Sequence, residues 1–305
     1  MWVALVLVPI ASLIWAATNN IDKYLVSRVA KKGDFRGLIV MSSLVAGVAL
    51  LPVSWMMTGG SVAIEASSLL LVFGSAGFYV VGTVFYFLAL RKNDTSIVVA
   101  MTQLIPVFGY FLGLVFLDEF LTVQQVLGAL VVIGASTAMT FEFRKGRFSK
   151  EKVKALLLMA LSSLAYAVYF LLFRMTATAS GFGATAFWYQ IGLMLVGVSL
   201  LVSKSFRRSF VELIAMNGKK VVALNVVNEV LNLGAELIVN FAMMFAAMAI
   251  VQTLNGLQPV FAFLIAAILA VLYPKSFRED LGKRVVIQKV VCIAVSFMGL
   301  AILYL

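Results

Sequence analysis

The sequence predicts an all-α integral membrane protein whose ten transmembrane helices form two inverted repeats of five helices. Composition is the first reason: 63% of the 305 residues are hydrophobic and 12% are charged, whereas about a quarter of a typical soluble protein is charged. The second is a series of ten apolar stretches, each long enough to cross about 30 Å of hydrocarbon. The third is a similarity between the two halves of the chain.

The ten predicted spans follow one another along almost the entire chain. They are Trp2–Tyr24, Gly37–Thr58, Ser67–Leu90, Thr95–Leu117, Thr122–Phe141, Val153–Thr176, Ala184–Ser203, Val221–Met248, Ala249–Tyr273 and Val285–Leu305. Because no basic region precedes the first span, we expect it to be retained in the protein and not cleaved as a signal peptide.

The distribution of basic residues predicts the orientation in the membrane. The connections after spans one, three, five, seven and nine, with the span ends beside them, hold 23 of the 24 Lys and Arg residues. The other side has only Arg174. Basic residues are enriched on the cytoplasmic side, so both termini are expected outside, in a bacterial or archaeal inner or plasma membrane. The net charge of +11 then reflects orientation and attraction to anionic lipid, and no nucleic-acid partner is expected.

The residue inventory excludes several kinds of chemistry. The chain has no histidine and a single cysteine, Cys292, which excludes internal disulfides, thiolate or histidine zinc sites and histidine-based triads. The sequence has no phosphate-binding Walker loop, so it gives no support for transport powered directly by ATP hydrolysis. We therefore expect neither a cofactor nor a metal ion.

Internal similarity divides the chain into a first repeat at 1–143, a basic cytoplasmic linker at 144–152 and a second repeat at 153–305. The segment Thr102–Phe108 (TQLIPVF) matches Asn255–Phe261 (NGLQPVF) at an offset of 153 residues. Because each half has an odd number of spans, the second half is inverted relative to the first. Inverted repeats place a binding site near the midplane, where the halves meet.

Further motifs support the same organisation. Trp15 and Lys23 in span one match Tyr166 and Arg174 at an offset of 151 residues. The remaining motifs are Tyr86–Ala89, Pro106 and the run DEFLTVQQVLG at Asp118–Gly128. Together these features resemble the EamA-type members of the drug/metabolite transporter superfamily, over essentially the whole chain. The resemblance implies a substrate cavity enclosed by spans one, three, four, six, eight and nine.

Two features depart from that family pattern. Many characterised ten-span relatives keep both termini in the cytoplasm, whereas the charge bias here predicts the reverse. The second copy of the DEFLT turn is replaced by the longer segment Tyr273–Arg284. The direction of transport therefore stays open.

Span eight carries a polar stripe that provides the main site candidates. At 100° per residue, six polar side chains fall within an arc of roughly 120°: Asn225, Asn228, Glu229, Asn232, Glu236 and Asn240. A charge at mid-membrane costs about 2.5–3.5 kcal/mol on insertion scales, so Glu229 and Glu236 must face a cavity, a partner or a proton. They are candidate proton carriers or cation ligands, about 10 Å apart along the helix. Alternatively, the amides bond neighbouring helices and the glutamates neutralise basic groups.

The matching face of span three, which holds Ser75, Tyr79, Thr83 and Tyr86, is uncharged. Aromatic faces beside carboxylates favour organic cations, whereas the same aromatics in another setting are packing or interfacial residues. The predicted substrate-binding set is Asn225, Asn228, Asn232, Asn240, Gln252, Asn255, Gln258, Gln103, Thr102, Trp15, Asn19, Tyr79, Tyr86 and Tyr166.

Prolines at matched positions, Pro106 and Pro259, are the predicted hinges of spans four and nine. Each removes one helix hydrogen bond and clashes with the carbonyl four residues earlier, at Thr102 and Asn255. Backbone freed in this way persists in a membrane only where protein or a wet cavity satisfies it. The alternative is a purely structural kink.

Two acidic positions at span ends are expected to have ordinary roles. Asp22 should pair with Lys23 or with lipid headgroups, and Asp118 with Glu119 should form a solvated turn.

The sequence thus predicts a secondary transporter or exchanger of a small polar metabolite or drug, with an organic cation as one candidate cargo. It would work by alternating access, with Glu229 and Glu236 as candidate sites of proton coupling. One alternative is a flippase for a lipid-linked head group with the same fold. A membrane-embedded enzyme is not expected, because nothing else resembles a catalytic set. The cargo, the coupling ion and the oligomeric state stay open, and the two fused halves do not require an oligomer.

Overall fold

The structure is a computed structural model that describes residues 2–28, 35–91, 93, 98–99, 101–140, 150–216, 218–272 and 282–304. These residues contain no β-strand and twelve helices of seven or more residues. The helices are α1 (Trp2–Arg28), α2 (Arg36–Met57), α3 (Ala66–Leu90), α4 (Leu104–Phe116), α5 (Val123–Thr140), α6 (Lys150–Ser180), α7 (Phe182–Leu200), α8 (Lys204–Met216), α9 (Gly218–Ala242), α10 (Met248–Leu254), α11 (Gln258–Leu272) and α12 (Lys283–Tyr304). The expected all-α fold is confirmed for this part of the chain.

Eight helical segments of the described residues are long and apolar enough to cross a membrane. They are α1, α2, α3, α6, α7, α9, the segment α10–α11 and α12, while α4 and α5 are shorter apolar helices. The eight long segments support an integral multi-pass protein, and α4 and α5 lie within the fourth and fifth predicted spans. The predicted linker lies outside the described residues up to residue 149, as does most of Tyr273–Arg284.

The predicted end of span eight is wrong. Span eight was expected to run to Met248, but α9 ends at Ala242 and Met248 begins α10. The chain turns between them, where the amide of Phe245 donates to the carbonyl of Ala242 at 3.0 Å. The residues of this turn are almost all apolar, so hydropathy gave no signal that the helix had ended.

An additional helix, α8, lies in the predicted connection after span seven. Its buried face carries Ser209 and Leu213 and packs on the start of α2, while Arg207 and Arg208 are exposed. The amide of Gly37 in α2 donates to the Ser209 hydroxyl at 2.9 Å. This division of basic and apolar faces is typical of a helix that lies in the membrane interface.

Helix pairing follows a pattern that relates the two halves. α3 lies against α6 and α9 lies against α1, while α4 packs on α6 and α11 packs on α1. Helices at corresponding positions of the two predicted repeats also pair directly, α2 with α7 and α5 with α12. The largest fully buried side chains include Tyr169 and Phe173 on α6, which packs on α3, and Tyr189 on α7, which packs on α2. The core therefore includes the contacts between helices of the first and second halves of the chain.

Glycine allows α5 and α12 to approach closely. A Cβ atom added at Gly128 would lie 2.6 Å from the backbone nitrogen of Leu303 and 2.9 Å from the carbonyl oxygen of Gly299. Contacts this short require the backbone to move, so only glycine fits at this crossing. Gly134, further along α5, has no atom within 4 Å of its Cβ position.

The substitution Gly128→Ala is therefore expected to destabilise the protein by about 1–3 kcal/mol, the usual cost of overpacking. Thermal unfolding of the detergent-purified protein measures this as a lower transition temperature. Gly134→Ala is the matched control and should leave the transition unchanged or raise it, because alanine favours helix over glycine. Equal transition temperatures for the two variants would contradict the close approach.

Candidate functional site

A cavity of about 120 Å³ lies between α1, α3, α4, α6, α9 and the broken helix α10–α11. A single buried water needs roughly a tenth of this volume, so the cavity has room for a small organic molecule. The wall includes most of the residues singled out in the sequence: Glu229, Glu236, Asn232, Gln252, Asn255, Gln258, Gln103, Thr102, Trp15, Asn19, Tyr79, Tyr86, Tyr166 and Pro106.

Four residues of the predicted set lie behind this wall: Asn225, Asn228, Asn240 and Pro259. The stripe on α9 is wider than the cavity, so its flanks face neighbouring helices. Asn228 donates to Asp22 on α1 at 2.7 Å, and Asn240 donates to the hydroxyl of Tyr169 on α6. These two amides thus hold other cavity residues in place.

Both glutamates of the stripe are buried, and both face hydroxyl donors. Ser42 on α2 donates to Oε1 of Glu229 at 2.5 Å, and the hydroxyl of Tyr189 on α7 donates to Oε1 of Glu236 at 2.5 Å. Neither makes a salt bridge within the described part of the chain. The alternative in which these carboxylates neutralise basic groups therefore finds no support in the described residues.

A third carboxylate, Asp22, also lines the cavity. It is 9% exposed and accepts hydrogen bonds from Asn228 and from the hydroxyl of Tyr86, the latter at 3.3 Å. The expected pairing with headgroups is wrong, because the carboxylate is buried at the cavity and is bonded to these two side chains, while pairing with Lys23 stays a prediction. The side chain of Lys23 lies outside the described part. Spacing gave a usable signal, since Trp15, Asn19 and Asp22 recur at the intervals of one helix face.

The aromatic wall is built around Tyr79. Its ring lies 5.8 Å from that of Tyr166 and 5.5 Å from that of Tyr169, between centroids. Its hydroxyl accepts a hydrogen bond from Asn232 at 3.0 Å, and the indole of Trp15 donates to the Asn232 carbonyl at 3.2 Å. These aromatics therefore face the cavity and not a lipid interface.

The helices that carry the two prolines are interrupted, not merely kinked. α10 ends at Leu254, a 3₁₀ turn covers Asn255–Leu257, and α11 begins at Gln258. In the first half, α4 begins only at Leu104, after a turn at Thr102. Both breaks thus fall at the carbonyl that proline displaces, four residues before it.

Polar side chains occupy the break in the second half. Ser12 on α1 donates to Oδ1 of Asn255 at 3.2 Å, and Asn255 donates to Gln252 at 3.1 Å. Broken backbone of this kind, beside amide side chains, provides hydrogen-bonding groups to a ligand within a membrane.

A second polar cluster joins three chain segments away from the cavity. Glu119 makes a salt bridge of 2.5 Å with Arg174 at the far end of α6 and accepts the amide of Met248 at 2.8 Å. Arg174 also donates to the carbonyl of Ala246 at 2.9 Å. The expected solvated turn is therefore wrong for Glu119, whose side chain is 13% exposed. Its partner belongs to a distant segment, which a reading of the local sequence could not reveal.

Comparison with known proteins agrees with this architecture. Residues 2–141 match the family described as the EamA-like transporter family. This match supports the identification of the chain as an EamA-type member of the drug/metabolite transporter superfamily. The resemblance found in the sequence is thereby confirmed, and the matched residues are those of the first predicted repeat.

Solved structures share the fold of this EamA-type chain. One of them is a crystal structure whose description names no particular protein. It aligns with 98% of this chain and 95% of the other chain, with a TM-score of 0.68 and 16% sequence identity. At this identity the likeness shows the fold alone. No curated protein matches the chain.

The cavity predicts a pattern of chemical accessibility. With Cys292 replaced by serine, Asn232→Cys should react with a small hydrophilic methanethiosulfonate about tenfold faster than Leu233→Cys, because thiol reactivity requires access to solvent. Asn232 lines the cavity, whereas its neighbour Leu233 is 1% exposed. Mass spectrometry of timed samples gives both rates, and equal rates would contradict the assignment of the cavity.

Proposed function

We propose that this protein is a secondary transporter or exchanger of a small polar metabolite or drug, with organic cations among its cargos. Two inverted five-helix repeats would expose the cavity alternately to the two sides of the membrane. Glu229 and Glu236 would bind the cargo, would bind a proton, or would bind the two alternately. The observation that carries the proposal is a cavity that holds buried carboxylates between helices broken in both halves.

The packing of the helices supports the inverted repeat. The contact of α3 with α6 has a counterpart in that of α9 with α1, as expected for exchange of the two halves. Tyr79 and Asn232 are separated by the repeat offset of 153 residues, and their side chains share a hydrogen bond. A pair of equivalent residues in contact is expected on the axis that relates two halves.

The electrostatics of the cavity support a cationic cargo or a proton. Three carboxylates line it, Asp22, Glu229 and Glu236, and no Lys or Arg is among its lining residues in the described part of the chain. Charged groups at membrane depth are normally paired with an opposite charge. A cargo cation or a proton would supply the missing charge.

Alternating access also requires a closed side, and the cluster of Glu119, Arg174 and Met248 is a candidate gate. These residues tie the end of α4 to the far end of α6 and to the start of α10. By the charge bias of the connections, this side of the protein is expected to be the outer one.

The role of the carboxylates is tested by flux into proteoliposomes. Uptake of radiolabelled amines, amino acids, sugars and nucleotide sugars is measured with and without a pH gradient, and the wild-type protein should accumulate at least one of them. Glu229→Gln and Glu236→Gln should lower that uptake about tenfold, equivalent to about 1.4 kcal/mol of binding free energy, or should abolish its response to pH.

Glu65→Gln is the control, because Glu65 is exposed beside the start of α3. Normal, equally pH-sensitive transport by both cavity variants would show that the carboxylates are structural. Activity confined to lipid-linked sugars would favour the flippase alternative.

The gate is tested by breaking its ion pair with Arg174→Gln. A partly buried pair contributes about 1 kcal/mol, so its loss should shift the equilibrium towards the opened side about fivefold. The measurement is the labelling rate of Asn232→Cys by an impermeant reagent applied from the side of Glu119. Arg208→Gln breaks the exposed pair with Glu212 on α8 and should leave the rate unchanged. An unchanged labelling rate in Arg174→Gln would show that this cluster is not a gate.

A further inference from the structure

We propose that the cavity binds a dicationic amine, with one ammonium group at each of two separate acidic ends. This inference rests on the proposed function and specifies the cargo of the same cavity. We call the two ends the paired end, formed by Asp22 and Glu229, and the single end, formed by Glu236.

The paired end brings together carboxylates from two helices. Asn228, the neighbour of Glu229 on α9, donates to Oδ1 of Asp22 at 2.7 Å. Ser42 and Tyr86 add hydroxyl donors, one to each carboxylate. The donors supply no positive charge, and within the described part of the chain no salt bridge neutralises either carboxylate at this end.

The single end lies two turns further along α9. Seven residues separate Glu229 from Glu236, which corresponds to about 10 Å along the axis. The described residues contain no group of three acidic or cysteine side chains placed to hold a metal ion. The acidic groups are therefore spread in a way that suits an extended organic cation better than one compact ion.

The separation of the two ends sets the length of the ligand. An ammonium nitrogen lies about 2.8 Å from the oxygen that it contacts. If both nitrogens lie on the line between the two acidic ends, which are about 10 Å apart, the nitrogens are about 5 Å from each other. If each nitrogen contacts its carboxylate from beside that line, the two nitrogens can be up to about 10 Å apart. A diamine with four or five methylene groups falls in this range, whereas 1,2-diaminoethane is too short.

The middle of the cavity suits the methylene chain. Asn232 lies between the two glutamates on α9, and its amide holds the hydroxyl of Tyr79 at 3.0 Å. The rings of Tyr79 and Tyr166 are therefore at the level where the chain would pass. Aromatic faces pack on methylene groups and attract the adjoining ammonium groups.

Two residues of the wall, Glu236 and Gln103, each have a buried acceptor atom that lacks a hydrogen-bond donor within the described residues. Oε2 of Glu236 and Oε1 of Gln103 make no hydrogen bond within the described residues, although the residues are only 3% and 4% exposed. A buried acceptor without a donor destabilises a protein by about 1–3 kcal/mol. An ammonium group carries three donors and no acceptor, so a group bound at the single end would supply the donor that Oε2 of Glu236 lacks.

The test compares a diamine with a monoamine of the same length. Binding of radiolabelled 1,4-diaminobutane to the purified full-length protein is measured in competition with butylamine and with 1,2-diaminoethane. The longer diamine should bind at least about tenfold more tightly than either competitor. Glu236→Gln should reduce the affinity for 1,4-diaminobutane to about that of butylamine and should lower the affinity for butylamine much less, because a monoamine can bind at the paired end alone.

The remaining variants separate loss of the site from loss of folding. Glu65→Gln should bind both amines as the wild type does, and a diamine preference that survives in Glu236→Gln overturns the proposal. Equal affinities of the wild-type protein for 1,4-diaminobutane and butylamine would also overturn the diamine proposal. In that case, transport of any other cargo in the flux assay would still support the proposed function. Diamine binding without transport of any cargo would instead refute the transport function and retain the site.

Discussion

The burial of three carboxylates in an apolar interior is the constraint on which the rest of this structure depends. Each of Asp22, Glu229 and Glu236 accepts a hydrogen bond from a side chain of another helix, so the burial of these groups restricts which helices can meet. Ser42 brings α2 to α9, and Tyr189 brings α7 to the same helix. The hydrophobic residues of these helices could pack in many registers. A buried carboxylate needs a hydrogen-bond donor, so only the registers that place a donor beside it are stable.

The sequence alone predicted the features that depend on composition and on short intervals along the chain. Apolar length located the spans, and the proline rule located both helix breaks at Thr102 and Asn255, because the steric cause lies within four residues. It also identified the polar face of α9, since one helix has one periodicity. Asp22 was accessible to the same reasoning but was assigned to a span end, because the length of α1 was underestimated.

Other features depend on contacts that no local pattern records. Glu119 looked like part of a solvated turn because its partner, Arg174, lies on another helix. The end of α9 was missed because its apolar sequence continues through a turn. Asn228 and Asn240 could not be separated from the cavity-lining members of the stripe, since the width of the cavity is set by α1 and α6 and not by α9 itself.

The proposed alternating access would exchange the conformations of the two halves, and the hydrogen bond between Asn232 and Tyr79 restricts that motion. In such an exchange, each contact takes the geometry of the equivalent contact in the other half. The packing of α4 on α6 would thus take the geometry now seen for α11 on α1, and the reverse. A contact between two matched residues is its own counterpart and survives the exchange unaltered. Asn232 and Tyr79 would then form a fixed pivot, around which the acidic groups change the side of the membrane that they face while remaining at the same depth.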